Sequence, residues 1–78
     1  MKIEKYLNEA SIKWIYILQD KSGDVFSATT SPDKAVEIIN RFTKGDYNNG
    51  SLYNVEVSGK DTIGTGNNKV KIYKLPIL

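Results

Sequence analysis

Ser31-Pro32-Asp33-Lys34-Ala35-Val36-Glu37-Ile38-Ile39-Asn40-Arg41-Phe42-Thr43-Lys44-Gly45 is the stretch on which the fold turns. Ser31 offers an N-cap hydroxyl, and the ring of Pro32 is preset for the first helical position. Asp33 puts an acid where the helix dipole favours one. Ala35, Ile38, Ile39 and Phe42 then recur at helical spacing, with Val36 beside them. Arg41 and Lys44 bring cations to the last turn, and Gly45 follows as a stop. The pattern predicts a main helix over 32–44 with one apolar face, so the rest of the chain must supply a surface to cover that face.

Upstream, Ile12 to Leu18 is β-branched and aromatic, which predicts a strand. Ile12, Trp14, Tyr16 and Leu18 share one face; Lys13, Ile15, Ile17 and Gln19 share the other. A strand apolar on both sides is covered twice, or covered once with an apolar face left over. Asp20-Lys21-Ser22-Gly23-Asp24 reads as a hairpin turn in which Gly23 supplies a positive φ, and Val25 to Thr29 returns as the second strand. Further back, Ile3, Tyr6, Leu7 and Ala10 mark a short amphipathic helix that forms only by docking on the body of the domain.

Downstream, Leu52 to Ser58 alternates Tyr53, Val55 and Val57 against Asn54, Glu56 and Ser58, and is expected to be a half-buried strand. Gly59 to Asn68, with three glycines, reads as a long flexible connection, and Lys69 to Leu75 as the closing strand, ended by Pro76. These elements imply an α+β domain: a four-stranded antiparallel sheet with the main helix packed on one face, plus the short N-terminal helix. If the helix docks on Ile15 and Ile17, Trp14 and Tyr16 occupy the free face. The reverse packing fits the same pattern.

The 78 residues are expected to form a single domain, 1–78. The chain contains no cysteine and no histidine. Those absences remove disulfides, the usual zinc and haem ligands, and Ser-His-Asp or Cys-His catalysis, so neither a cofactor nor an enzymatic role is expected. The net charge of +2 is too small to imply nucleic acid or membrane by itself. Met1-Lys2-Ile3-Glu4-Lys5 lacks the apolar run of a signal peptide, which with the absent cysteines suggests a cytoplasmic protein with no membrane contact.

The glycine clusters do not make a phosphate loop. Gly64-Thr65-Gly66 leads into a strand, where a dinucleotide fingerprint needs a helix. Asp20 and Asp24 could reach one cation with Ser22, yet turn formation accounts for both, and the dense ligand loop of a calcium site is missing. The aromatics and lysines carry more. Trp14, Tyr16 and Tyr73 are expected to anchor a protein partner on the sheet face left free by the helix, with Lys69 and Lys71 at its rim and Ile63 on the flexible loop. The same aromatics and lysines would suit nucleic acid as an alternative, and free sheet edges would suit a homodimer.

From Trp14 to Phe42 the chain resembles small proteins of bacterial phages and mobile elements. The shared pattern is a tyrosine- and isoleucine-rich strand, a glycine turn (Gly23-Asp24-Val25-Phe26), and a helix opened by Ser31-Pro32-Asp33-Lys34-Ala35. The asparagine- and lysine-rich composition is similar to that of low-GC Gram-positive bacteria and their phages. The resemblance implies a non-enzymatic, phage-type inhibitor of a host or defence protein, anti-CRISPR-like in style. It assigns no functional role to any individual position.

Overall fold

The computed structural model describes residues 13–78. Strand β1 (Lys13–Gln19) turns into β2 (Val25–Thr29), helix α1 (Pro32–Thr43) follows, and a 3-10 turn (Asn49–Leu52) runs directly into helix α2 (Tyr53–Ser58). Strands β3 (Lys60–Ile63) and β4 (Val70–Ile77) close the chain. All pairings are antiparallel, and the order across the open sheet is β2-β1-β4-β3. The architecture is α+β, with both helices on one face of the sheet. The expected N-terminal helix lies outside the described residues.

The first hairpin and α1 form for the reasons their sequences suggest. The Asp20 carboxylate accepts from Ser22 Oγ at 2.6 Å, from the Ser22 N–H at 2.9 Å and from the Asp24 N–H at 3.1 Å, while Gly23 takes φ +94°. The Ser22 hydroxyl above all holds the Asp20 carboxyl below its ordinary pKa. At the head of α1, Ser31 Oγ accepts from the Lys34 N–H at 3.2 Å. At its end the left-handed residue is Lys44 (φ 59°) rather than Gly45. A Cβ at Gly45 would stand 2.5 Å from the Tyr47 ring, which would have to shift to admit it. Asn40 then clasps the descending loop, accepting from the Tyr47 N–H at 2.7 Å and donating to its carbonyl at 3.0 Å.

Three expectations for the C-terminal half are corrected. Leu52 to Ser58 is helical, not a strand. Only Leu52 and Val55, three residues apart, are buried, whereas Tyr53 and Val57 are 69 % and 66 % exposed. Burial at helical spacing overrides the β-preference of the valines, and Gly59 (φ +84°) ends the turn by donating its N–H to the Val55 carbonyl. The supposed flexible connection contains β3, and its Ile63 is in the core. Gly64 permits the turn that follows: its φ is +102°, and a Cβ would lie 2.1 Å from the Asn68 carbonyl oxygen.

Pro76 does not end β4, which pairs through Ile77 with Lys13. The Lys74 N–H donates outward to the Gly59 carbonyl at 2.9 Å, so the nitrogen of Pro76, two residues on, also faces away from β1, beyond the end of β3. The missing N–H is therefore lost from no ladder.

The core lies between sheet and helices. Tyr16 and Leu18 of β1, Val70 and Ile72 of β4, and Ile63 of β3 meet Ala35, Val36 and Ile39 of α1 and Leu52 and Val55 of the second helical segment. A bulge opposite Leu18 and Gln19 leaves Phe26 as the extra residue of β2, and its ring stacks on Phe42 at 4.7 Å. Among the described residues, no helix is long and apolar enough to cross a membrane.

Candidate functional site

The two faces of the sheet offer two candidate sites. On the helix side, Trp14, Tyr16 and Lys74 converge on α2. The Tyr16 hydroxyl donates to Glu56 Oε2 at 2.5 Å, and Lys74 pairs with Glu56 Oε1. The Lys74 ammonium also lies 4.9 Å from the centre of the Trp14 ring and 5.9 Å from that of Tyr16. Bonding to Lys74 and then to Tyr16 lowers the Glu56 pKa. Burial, reinforced by that carboxylate, raises the Tyr16 pKa above its ordinary value.

A shallow pocket of about 580 Å³ opens beside this cluster, between Trp14, Lys74 and the end of α2. Its two charged groups, Glu56 and Lys74, are engaged with each other. The cluster fastens α2 to the central strands and has no titratable group left over for chemistry. Among the described residues, no group of three or more Asp, Glu, His or Cys side chains is placed to hold a metal ion.

The opposite face carries no helix among the described residues. Register assigns it the pairs Lys13–Ile77, Ile15–Leu75 and Ile17–Tyr73 across the two central strands. Gln19 and Lys71 close one end, flanked by Val25 and Ala28 of β2 and by Lys60 and Thr62 of β3. The centre is a stripe of branched aliphatic side chains, of which Leu75 and Ile77 are 49 % and 45 % exposed. Its charges are Lys13, Lys60 and Lys71. Within the strands this face has no carboxylate, since Asp61 pairs with Ile72 on the helix side and accepts from the Thr62 N–H at 2.8 Å. Lys60, Thr62, Lys71 and Tyr73 surround a hollow of about 420 Å³, with the Asp61 segment at its margin.

The expected anchor residues are thus divided between the two faces. Tyr73 and Lys71 lie on the open face. Trp14 and Tyr16 lie on the helix side, the first half-buried under Lys74 and the second 4 % exposed. Ile63 is buried, and Lys69 is exposed in the turn before β4. The helices have chosen the Trp14-Tyr16-Leu18 side of β1, the reverse of the packing on Ile15 and Ile17. The residues that sequence reasoning did not single out are Ile15, Ile17, Leu75, Ile77, Lys13 and Lys60. Their signal was the second apolar face of β1, legible as an excess but not as the free face.

Comparisons with protein families, with curated proteins and with solved structures found no match to this chain.

Proposed function

We propose that this chain is a non-enzymatic protein-binding domain that engages its partner through the open sheet face. The observation that carries the reading is the aliphatic stripe Ile15-Ile17-Leu75-Ile77, laid across the two central strands without a covering helix among the described residues. An apolar surface of this kind, rimmed by polar groups, marks an interaction site. The resemblance of the Trp14–Phe42 stretch to small phage proteins supports a host or defence protein as the partner, bound stoichiometrically by a phage-type inhibitor. Nucleic acid is the weaker reading because Tyr73 is the one aromatic on that face within the strands, and base stacking calls for several.

The test is capture from a Gram-positive bacterial lysate, with and without nuclease, using the chain and its Leu75→Asp variant as baits. A protein retained in stoichiometric amount after nuclease, and lost with Leu75→Asp, supports the reading. Capture that disappears with nuclease turns it to nucleic acid.

A further inference from the structure

We infer that the open face selects an acidic amphipathic segment, an apolar ridge flanked by carboxylates, and that Lys60 and Lys71 receive one of those carboxylates in the hollow beside Tyr73. The inference rests on the protein-binding reading and adds to it the chemistry of the partner. Its ground is the charge distribution of the face. Lys13 stands at one end of the aliphatic stripe and Lys60 and Lys71 at the other, and within the strands no Asp or Glu shares the surface. The nearest acid is Asp61, which borders the hollow but alternates to the helix side and accepts from the Thr62 N–H. Glu56 is bound to Lys74 and Tyr16 behind the sheet, Asp20 is bound into its turn, and Glu37 pairs with Arg41 on α1.

A second copy laid face to face would present only more lysines, so self-association through this surface gains no complementary charge. An acidic partner has that complementarity at both ends. The stripe also has a defined length. Seven residues of β1 extend about 20 Å, roughly four turns of helix, so one amphipathic segment would span it. Thr62 adds a hydroxyl next to the two lysines, suited to the second oxygen of a carboxylate.

The probe is a labelled synthetic amphipathic helix with a leucine stripe flanked by glutamates, compared with the same peptide carrying lysines in their place. Binding to the full chain is read by fluorescence anisotropy. The glutamate peptide should bind at least about tenfold more tightly than the lysine peptide. Lys60→Glu with Lys71→Glu should erase that preference, and raising the salt from about 50 to 500 mM should shrink it. Leu75→Asp should abolish binding of both peptides.

Equal binding of the two peptides, still abolished by Leu75→Asp, would overturn the charge inference while sparing the face. Binding indifferent to Leu75→Asp, or none at all, would overturn both. A stable dimer in light scattering that Leu75→Asp dissolves would give the face to a second copy. Tighter binding of oligo(dT) than of the glutamate peptide would give it to nucleic acid. A tenfold gain in peptide affinity on Leu7→Asp would give it to the chain's own first residues. Each of these three results refutes the proposal.

Discussion

The two faces of β1 are close in hydrophobicity and opposite in fate. Trp14, Tyr16 and Leu18 point to the helices, and Leu18 is wholly buried. Ile15 and Ile17, interleaved with them, point to a face with no helix over it among the described residues, and their cross-strand neighbour Leu75 stays half exposed. The difference lies in the polar handles. The helix side has a tyrosine hydroxyl and a lysine that reach Glu56 and tie α2 down, whereas Tyr73 and the lysines of the open side share their face with no carboxylate within the strands. Apolar area drives both faces towards cover; the core forms on the helix side, where the Glu56 bonds add a polar tie to α2. Half-exposed Leu75 and Ile77 each forgo about 1 kcal/mol of burial, which a partner covering them would regain.

Truncation probes this contrast most strongly. Leu18→Ala should cost about 2–5 kcal/mol and lower Tm by 10 °C or more, whereas Ile17→Ala next to it should cost less than about 1.5 kcal/mol. Equal losses in urea melts would show that the open face is covered after all. Gly64→Ala comes next, at about 1–3 kcal/mol, because it combines a left-handed φ with a backbone clash in the turn that aligns β3. A melting curve unchanged by that substitution would contradict the β3–β4 register.

The Tyr16–Glu56 bond sharpens the comparison through pH. Glu56 has a lowered pKa in the folded state, so its contribution is complete above the ordinary carboxylate range and is lost as pH falls through the lowered value. Tyr16 has a raised pKa, so its contribution holds below about pH 10, the ordinary tyrosine value, and is lost as pH rises beyond it. Tyr16→Phe should cost about 1 kcal/mol near neutral pH and flatten the alkaline limb of the stability profile. An alkaline limb of undiminished slope would mean that other groups produce it. Leu75→Asp should cost about 1 kcal/mol, the value of the half of its side chain that is buried, although it should remove partner capture. A large fall in Tm would mean that Leu75 packs against something.

How legible the molecule was depends on where competing signals met. The Ser31-Pro32-Asp33 cap and the Asp20–Asp24 turn are local chemistry, and both formed as their residues suggest. Tyr53-Asn54-Val55-Glu56-Val57 alternates like a strand, yet burial follows the three-residue step from Leu52 to Val55, which becomes clear only once β3 and β4 are in place beneath it. β3 itself was hidden by the glycines on either side of Lys60–Ile63. The candidate site was half legible. The excess apolar face of β1 could be read directly, but the choice of face shows only in long-range contacts, among them Glu56, forty residues from Tyr16, on a helix that its sequence disguised.

Pro76 has a bearing on solubility. Past the end of β3 the outer margin of β4 pairs with no strand among the described residues, and it runs beside the apolar stripe, an invitation to stacking into fibrils. A proline whose nitrogen faces that margin offers no hydrogen to an incoming strand, so the ladder cannot be prolonged from molecule to molecule there. The block is local to that margin: the outer sides of β2 and β3, the two edge strands of the open sheet, carry no proline and keep their ladder groups.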